Sequence, residues 1–509
     1  MNPRAVLALS TLLAGPAALG AWNSDPAVNI SVADGASDQA QPKIAPGADC
    51  GSWVSWFDGI ATGYDVRVQL LDSDGNEVLA HNGVLVADRN FSSTQDYGLS
   101  SDPSGNAFLV YRFNNGAEIR AAKVLPDGSM PWGVNGVIAN TGGSPNSPRC
   151  GGTSDGGVVV GWSDGANTVL QRFDANGVAQ WGTGVTVSAA GFQLLVSDIR
   201  DAGNGDVIVS WIQQTGFAGA KTLWAQKFDS AGAEVWASRV AVYDGGSLQF
   251  GNFPRFWTDG AGGGVFAWYD SSGTNFVQHV SSAGAEMFAH NGVATETGAG
   301  TRRYEITAAY DQATGDIYAF YRETDASQGM IGLSAQRVDS AGARQWTDNG
   351  LSLVAMSSSD IGSLNAAFTD NSAKIIYTQA VSPTTDVLRA FALDSTGASA
   401  WVAAPLGVST VPADMFRTGV IGAADGEVRA VWQHNDDVHG QNITRNGNFG
   451  VCPGDATDNR MVDVDDLNLV LSSWGNSVPP GSIGDLVCDG VIDVDDLNQV
   501  LSNWGASCP

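Results

Sequence analysis

Short hydrophobic and polar runs alternate through most of the chain, and the pattern is plainest between residues 156 and 188. An apolar run ends in Trp162, and after a polar loop come Gln171, a turn at Gly177, Trp181 and the alternating sequence GVTVS. Short runs that alternate or stay apolar, bounded by Gly, Asp, Asn or Ser, predict β-strands. With SPRCGGT just before it, this stretch predicts four short strands.

The same order of landmarks recurs in eight units of about 50 residues each. A large residue ends the apolar run, a glutamine lies six residues before the turn glycine, and a large apolar residue often follows four residues after it. The first position holds Trp56, Tyr111, Trp162, Trp211, Trp268, Tyr321, Gln379 and Trp432. The glutamines are Gln69, Gln171, Gln226, Gln278, Gln336 and Gln441, and the other two units carry Ala122 and Phe391. The turn glycines are Gly75, Gly128, Gly177, Gly232, Gly284, Gly342, Gly397 and Gly447, and the residues after them include Trp132, Trp181, Trp236, Phe288, Trp346 and Trp401.

Four-stranded units repeated at this spacing predict an all-β fold, an eight-bladed β-propeller, over residues 22–450. The eighth unit lacks its last strand. Residues 21–32 at the N-terminus carry Trp22 followed by Val28 and Ile30 in alternation, as the missing strand would. We therefore expect the N-terminal strand to close the ring, which removes an exposed sheet edge.

The turns of four units share the pattern D-x-x-G-x-x-x-W, as from Asp174 to Trp181. This pattern resembles the Asp-box of sialidases and the tryptophan-docking motif of eight-bladed quinoprotein dehydrogenases, although its spacing departs from both. In those families the motif ties strand to strand and is not itself catalytic. The resemblance implies a propeller and says little about activity.

The net charge of −28 and the pI of about 4.2 argue against binding to nucleic acid or to anionic membranes. Residues 1–21 have the single Arg, the apolar run and the small residues of a signal peptide. The alternative is an N-terminal membrane anchor, but the run is short and contains Gly15 and Pro16, so we favour cleavage. No other stretch could span a membrane, and we expect a secreted, extracellular or cell-surface protein.

Residues 451–509 differ in kind from the repeats. The segments 455–475 and 485–505 are offset by 30 residues, and each leads from an acidic stretch into an amphipathic helix. The apolar positions are Leu467, Val470, Leu471 and Trp474 in the first helix and Leu497, Val500, Leu501 and Trp504 in the second. Because neither short helix could bury such a face alone, we expect the two faces to pack on each other.

The acidic stretches have the spacing of 12-residue Ca²⁺ loops, in which positions 1, 3, 5, 7, 9 and 12 supply oxygen ligands. The first loop would use Asp455, Thr457, Asn459, the carbonyl of Met461, Asp463 and Asp466. The second would use Asp485, Asp489, the carbonyl of Val491, Asp493 and Asp496, while Val487 at the third position offers no side-chain ligand. The alternative is that the aspartates only cap the helices. Capping would not need five acidic or amide residues in each loop region, so we favour Ca²⁺.

This duplicated loop–helix unit, with Asp at the twelfth position, resembles the dockerin type I module. The resemblance implies Ca²⁺-dependent attachment to a cohesin-like protein or a cell-surface partner, on a protein connected with polysaccharide degradation. Three residues depart from the family pattern. Position 3 is usually Asn or Asp and holds Thr457, which still offers a hydroxyl, and Val487, which does not; position 6 is usually Gly and holds Arg460 in the first loop. We therefore expect weaker sites, with the second loop one side-chain ligand short.

The cysteines leave several pairings open. Cys452 and Cys508 flank the tail and suggest a clasp in an oxidising compartment, which leaves Cys488 without an evident partner. Cys50 and Cys150 lie in units that are not neighbours, so we expect no disulfide between them.

Residues for catalysis cannot be assigned from the sequence. His434 and His439 flank Asp436 and Asp437 and could bind a metal, although a polar loop is the simpler interpretation. Asp58, Asp164 and Asp270 recur two residues after the aromatic position, which favours a turn role. No nucleophile elbow, H-E-x-x-H motif or phosphate loop is present.

Three hypotheses on function remain. The first is a secreted, non-catalytic propeller that binds a partner or a glycan and carries a Ca²⁺-dependent attachment module. The second is a polysaccharide-degrading enzyme, a glycoside hydrolase or lyase, with its site at the propeller channel. The third is a structural envelope protein. Glu, Asp, Tyr or Arg side chains converging at one mouth of the channel would favour the enzyme, and a lining of small or apolar residues would exclude it.

Overall fold

The computed structural model describes residues 21–298 and 300–508, so nearly all of the expected signal peptide lies outside the described residues. The strands in this part of the chain form eight antiparallel sheets of four strands each. The fold is the predicted eight-bladed β-propeller, followed by two short helices near the C-terminus.

Blades 1 to 7 each use four consecutive strands, numbered from β2 because the first strand belongs to the last blade. Blades 1 to 4 are β2(Gln39–Pro46), β3(Ser52–Ile60), β4(Gly63–Leu71), β5(Val84–Phe91); β6(Gly98–Ser101), β7(Ala107–Phe113), β8(Glu118–Val124), β9(Val137–Thr141); β10(Asn146–Gly152), β11(Val158–Asp164), β12(Asn167–Phe173), β13(Val185–Val187); and β14(Gln193–Asp201), β15(Val207–Gln214), β16(Lys221–Phe228), β17(Val240–Tyr243). Blades 5 to 7 are β18(Phe256–Thr258), β19(Gly264–Tyr269), β20(Asn275–Val280), β21(Val293–Ala294); β22(Thr301–Asp311), β23(Asp316–Asp325), β24(Ile331–Val338), β25(Leu351–Ser357); and β26(Ile361–Thr369), β27(Ser372–Ser382), β28(Thr385–Leu393), β29(Leu406–Ala413).

Blade 8 joins the two ends of the propeller. It consists of β30(Met415–Gly422), β31(Val428–His434) and β32(Asp437–Ile443), with β1(Ile30–Ala33) as its outer strand. β1 runs antiparallel to β32, with Ile30 opposite Gly440 and Ser31 opposite His439. The outer strand of blade 8 is thus the segment expected from the sequence.

The first strand of every blade lies nearest the axis. Each contacts the first strand of the next blade around the ring, from β2 through β6, β10, β14, β18, β22, β26 and β30 back to β2. Because the blades are antiparallel meanders, two kinds of connection emerge on each face of the ring. We call the face with the β15–β16 turn and the connections between blades the upper face, and the face with the turns after the first strands the lower face.

A buried aromatic residue marks the second strand of each blade. The members are Trp56, Tyr111, Trp162, Trp211, Trp268, Tyr321, Tyr377 and Trp432, and all are at most 1% exposed. The assignment of Gln379 to this set was wrong. Ile375 lies opposite Phe391 just as Val160 lies opposite Gln171, so the aromatic position of blade 7 falls on Tyr377. β27 continues for five residues beyond Tyr377, to Ser382, and this longer second strand concealed the register.

The repeated glutamine bonds the third strand to the segment that leads into the fourth. In blade 3, Oε1 of Gln171 accepts the backbone N–H of Trp181 at 3.1 Å, and Nε2 donates to the carbonyl of Gly182 at 3.0 Å. In blade 8, Nε2 of Gln441 donates to the carbonyl of Asn23 at 3.0 Å. The same bond therefore connects the two ends of the propeller.

Each blade also docks an apolar side chain on the turn glycine of the next blade. Trp181 donates its indole N–H to the carbonyl of Ser230 at 3.0 Å, and its ring lies where a Cβ on Gly232 would be 3.1 Å from it. Across the closure, Trp22 makes the same contact with Ser73 and Gly75. Glycine is required because the turn has positive φ and the ring lies against it. The motif therefore ties one blade to the next, whereas the resemblance implied a tie between strands.

The tail contains α1(Val464–Ser472) and α2(Val494–Ser502). Val470 and Val500 are fully buried in a small core with Ala456, Val462 and Ile492. The expected apolar faces are only partly buried, because Leu471, Trp474, Leu501 and Trp504 are each about half exposed. Within the described residues no helix is long and apolar enough to cross a bilayer.

Candidate functional site

The first loop of the tail folds around Asp455 and Asp466. Asp455 accepts the backbone N–H groups of Asn459 and Arg460 at 3.1 and 2.6 Å. Asp466 is fully buried and accepts the N–H groups of Thr457 and Asp463, both at 2.8 Å. The Thr457 hydroxyl lies 2.8 Å from Asp466 Oδ1 and 3.3 Å from Asp455 Oδ1, so both carboxylates approach one small group.

The second loop repeats this arrangement around Asp485 and Asp496. Asp485 accepts the N–H groups of Asp489 and Gly490 at 3.2 and 3.0 Å. Asp496, also fully buried, accepts those of Val487 and Asp493 at 3.1 and 2.8 Å. Val487 has no hydroxyl to place between the two carboxylates. The two loops therefore have the same pattern of backbone hydrogen bonds. They differ at the third position, where Thr457 has a hydroxyl group and Val487 has none.

Reciprocal backbone bonds hold the two loop–helix units together. The N–H of Gly505, after α2, donates to Val462 in the first loop at 2.8 Å, and the N–H of Gly475, after α1, donates to Ile492 in the second at 2.8 Å. Equivalent residues thus exchange equivalent bonds. The tail has an approximate twofold symmetry in which each helix end supports the other loop.

The aspartates at the helix starts also act as caps. Asp463 and Asp493 are the N-caps of α1 and α2, and each forms a capping box with Asp466 or Asp496. Capping accounts for these four residues. It does not account for Asp455, Asn459, Asp485 or Asp489, which precede the helices.

The donor set of the loops suits a hard cation. Burial and the nearby carboxylates of Asp466 and Asp458 raise the pKa of Asp455, although backbone N–H groups partly oppose this. Arg460, the single arginine of the tail, donates to the carbonyls of Cys508 and Phe449 at 3.4 and 3.3 Å, and among the described residues it forms no ion pair with the loop carboxylates. Within residues 21–298 and 300–508, however, no three His, Cys, Asp or Glu side chains converge as a ready-made metal site. The oxygen atoms of these side chains are suitable ligands for Ca²⁺. In this structure the carboxylates accept hydrogen bonds from backbone N–H groups.

Two disulfides order the tail. Cys452 pairs with Cys508, with 5.7 Å between their Cα atoms, as the flanking positions suggested. Cys488 pairs with Cys50 of blade 1, with 5.9 Å between Cα atoms and 438 residues between them in sequence. Cys150 is free and buried.

The tail also bonds to blade 8 on the lower face. Arg445 donates to the carbonyl of Ala456 at 2.7 Å, and the side-chain amide of Asn446 donates to the carbonyl of Asp458 at 2.8 Å. A cavity of about 160 Å³ lies between the two parts. It contains Glu427, whose pKa burial and the neighbouring Asp425 raise to about 8.

The first strands carry a group of charged residues that we call the channel arc. Lys43 on β2 and Arg149 on β10 bind Asp96, just before β6, at 2.7 and 3.0 Å. Arg200 binds Asp198, both on β14, at 3.0 Å. Arg255 directly precedes β18. Desolvation lowers the pKa of Lys43 and that of Arg255, although Arg255 is exposed at its surface and Asp96 opposes the shift in both cases.

A second polar group lies on blades 5 to 7. Burial raises the pKa of Glu305, whose carboxylate accepts the N–H of Leu364 at 3.2 Å. Arg322 binds Asp360 at 2.7 Å. The rings of Tyr269 and Tyr304 meet edge to face at 5.8 Å. The first strands therefore carry charged residues on two sides of the channel, a feature that no single sequence motif displayed.

The histidines and the repeated aspartates have local roles. His434 and His439 stack with 4.2 Å between ring centroids, and burial lowers the pKa of His439 to about 4. Asp270 accepts the N–H groups of Ser272 and Thr274, both at 3.0 Å, as a turn residue does. The turn prediction is wrong for Asp58, which binds Arg67 at 2.6 Å, and for Asp164, which accepts the N–H of Ser144 in the preceding connection.

No protein-family model matches the chain, and no curated protein matches its sequence. Solved structures with a similar fold include puromycin hydrolase (TM-score 0.42, 14% identity, 81% of this chain and 61% of that chain). Others are the BP39L lectin from Burkholderia pseudomallei (0.47, 12%, 70% and 98%) and the Dos1 propeller (0.47, 10%, 82% and 95%). This chain spans about three fifths of the length of puromycin hydrolase. At these values the likeness carries no argument about function.

Proposed function

We propose that the chain is a secreted, non-catalytic β-propeller binding protein whose dockerin-like tail attaches it to a partner in a Ca²⁺-dependent way. The observation that carries this proposal is that the buried tail carboxylates Asp466, Asp485 and Asp496 form no ion pair within the part of the chain that the structure describes, in a module whose apolar helix faces are half exposed. Two disulfides and the expected signal peptide support an oxidising, extracellular location.

Bound Ca²⁺ would supply the positive charge that the loops lack. Its ligands in the first loop would be Asp455, Thr457, Asn459, the Met461 carbonyl, Asp463 and Asp466. In the second they would be Asp485, Asp489, the Val491 carbonyl, Asp493 and Asp496. The chain's own contribution is a loop held in shape by backbone bonds, by the reciprocal helix ends and by the disulfides.

The exposed helix faces supply the partner surface. Trp474 is 46% exposed and Trp504 50% exposed, each two residues past the end of its helix, and the half-exposed Leu471 and Leu501 lie in the last turns of the two helices. Apolar side chains of this size are favourable anchors when a partner buries them. We infer a partner of the cohesin type. The tail is bonded to the lower face of the propeller, so attachment leaves the upper face open to a ligand.

A test of attachment measures hydrogen–deuterium exchange of the full chain with Ca²⁺ and with a chelator, and then binding to a type I cohesin domain. We expect slower exchange in residues 455–508 with Ca²⁺, and binding that needs Ca²⁺ and is lost in the double variant Trp474→Ala/Trp504→Ala. The matched control is Phe217→Ala, an exposed aromatic residue of the propeller. Equal exchange in both conditions would contradict the calcium assignment, and Ca²⁺-independent binding would contradict the attachment mechanism.

Glu305 favours a second candidate, a polysaccharide-degrading enzyme acting at the channel. A carboxyl group with a raised pKa can serve as a general acid, and Asp360 lies close enough to contribute to that shift. A combined glycan-array and hydrolysis screen separates the two candidates. Binding without product supports the binding protein, whereas product formation that is abolished in Glu305→Gln supports the enzyme.

A further inference from the structure

The channel arc has an excess of positive charge in a strongly acidic protein. The chain has 25 Lys and Arg residues against 53 Asp and Glu residues. In this group, four cationic side chains meet two carboxylates. The cations are Lys43, Arg149, Arg200 and Arg255, and the carboxylates are Asp96 and Asp198.

Arg255 is the cation of this group that lacks a partner. Asp96 is occupied by Lys43 and Arg149, and Asp198 by Arg200 and the backbone N–H of Phe256. The Arg255 guanidinium forms no hydrogen bond and no ion pair with any residue that the structure describes; Asp96 and Asp198 attract it from a distance, and Arg200 and Arg149 repel it. Arg255 is exposed, so its five N–H donors are free to bind an anion.

The backbone around Arg255 is fixed to the arc. The Ser197 hydroxyl donates to the carbonyl of Pro254 at 2.7 Å, and Arg149 donates to the carbonyl of Ser197 at 3.0 Å. Phe256 donates its N–H to Asp198 at 3.4 Å. The chain on both sides of Arg255 is thus held by residues of blade 4.

An exposed aromatic pair lies on the same face of the ring. Phe217 in the β15–β16 turn is 75% exposed, and Phe250 in the β17–β18 connection is 62% exposed. Their ring centroids are 4.9 Å apart, and Lys221 Nζ lies 5.5 Å from the centroid of Phe250. Phe250 and Arg255 are five residues apart in one connection, which limits their separation to about 18 Å. An exposed aromatic pair of this kind is a candidate interaction surface.

We propose that the upper mouth of the channel at blades 4 and 5 binds a saccharide that carries a carboxylate or sulfate group. Arg255 holds the oxyanion through its planar pair of donors, and Phe217 and Phe250 pack against the apolar face of a sugar ring. The arc provides a positive field that a neutral saccharide cannot use. This inference rests on the proposed binding function and names its ligand class.

The test is calorimetric titration of the full chain with three oligosaccharides of equal length, one bearing uronate groups, one sulfated and one neutral. We expect an acidic saccharide to bind more tightly than the neutral one, with affinity that falls as salt is added. Arg255→Gln should weaken the acidic ligand about tenfold, as expected for the loss of a charge-assisted hydrogen bond. Phe250→Ala should weaken all ligands that bind.

Two matched variants serve as controls, and both should bind as the unaltered protein does. They are Arg344→Gln, an arginine outside the arc paired with Asp348, and Trp474→Ala in the tail. The uronate and sulfate arms decide which oxyanion is recognised. Comparable far-ultraviolet circular dichroism establishes that each variant is folded.

Three results would overturn the inference. They are equal affinity for neutral and acidic saccharides, unchanged affinity in Arg255→Gln, and binding of a tri-glutamate peptide with no binding of any saccharide. Equal affinity would leave the propeller a saccharide-binding protein, so the proposed function would stand while this ligand class fell. Binding of the peptide alone would contradict saccharide binding both in the proposed function and in this inference.

Discussion

Cys488, the fourth residue of the second tail loop, is disulfide-bonded to Cys50 in the turn between β2 and β3. The fourth residue of the first loop, Asp458, accepts the backbone N–H of Asn446 in blade 8 at 2.8 Å. Both residues have left-handed backbone conformations, with φ of 62° and 55°. Equivalent points of the two loops thus hold the propeller, one covalently and one by hydrogen bonds.

The first prediction concerns this attachment. Replacing Cys50 and Cys488 by Ser should lower the stability of the docked tail by about 2–4 kcal/mol, the usual contribution of a native disulfide. Hydrogen exchange in residues 455–508 measures the change against that in the propeller. Cys150→Ser, at the free cysteine, is the control and should leave exchange in the tail unaltered. A tail that exchanges equally slowly in the double variant would mean that the hydrogen bonds from Arg445 and Asn446 suffice.

The second prediction concerns ring closure. Trp22 is 3% exposed and docks on Gly75, so Trp22→Ala should destabilise the propeller by about 3–5 kcal/mol, as large-to-small core substitutions do. Denaturant unfolding measures the loss. Trp181→Ala, at the equivalent position in blade 3, should cost a similar amount, and the exposed Trp474→Ala should cost little.

If Trp22→Ala behaved like Trp474→Ala, the closing contact would contribute nothing to stability. Removing residues 22–33 extends the test, because it also exposes the edge of β32. The melting temperature of that shortened chain should fall markedly.

The repeat made the fold predictable from the sequence because the same physical constraint acts in each blade. A turn glycine is needed where the preceding blade's ring lies against it, and a buried glutamine is needed where two backbone groups lack strand partners. Gln171 and Trp181 show both constraints on one blade. Blade 7 has Phe391 in place of the repeated glutamine, and the Tyr377 side chain lies beside it. In such a blade the sequence pattern does not mark the register of the strands.

The candidate sites were less predictable because they depend on contacts between distant segments. Nothing near Cys488 in sequence indicates Cys50, and Arg255 stands out only when the partners of Asp96 and Asp198 are known. The helical faces were misjudged for a related reason. Each tail helix has nine residues, and its core side is fixed by Val462 and Ile492 from the loops rather than by the other helix's tryptophan.

The third prediction concerns pH. His81 lies 2.8 Å from Asp34 of the adjoining blade and 3.0 Å from Glu77 of its own, and His290 repeats this with Asp244 and Glu286. Desolvation lowers the pKa of His81, but the hydrogen bonds to Asp34 and Glu77 outweigh it and raise the pKa above 6.5. For His290, the hydrogen bond to Glu286 is the main cause of the raised pKa.

A raised histidine pKa means that the stabilisation is fully present below pH 6.5 and is lost as the pH rises through the folded-state pKa. The variant His81→Gln/His290→Gln should therefore melt below the unaltered protein at pH 5.5 and close to it at pH 9. Asp34→Asn/Asp244→Asn removes one of the two acidic partners of each histidine and leaves Glu77 and Glu286, so it should give a smaller difference in melting temperature with the same pH dependence. A melting difference that is equal at both pH values would show that the imidazoles act only through packing.

The last prediction ranks the two tail loops. The first loop offers an oxygen ligand at all six positions, whereas Val487 leaves the second with five. The Cys50–Cys488 disulfide restrains the second loop but supplies no oxygen. Asp466→Ala should therefore weaken Ca²⁺ binding more than Asp496→Ala, as measured by calorimetric titration of the full chain.

Comparing these two variants cancels the other consequence of the substitution, because each aspartate occupies the same place in a capping box. Loss of a cap costs about 1 kcal/mol in either helix, so a difference between the variants reports on the metal site. Asp465→Ala is the control, since Asp465 is exposed and lies at no ligand position. A greater loss in Asp496→Ala would reverse the ranking and imply that restraint of the loop outweighs the missing ligand. If a chelator had no effect on the tail, and each variant lowered its stability only by the cost of a lost cap, the aspartates would act as caps alone.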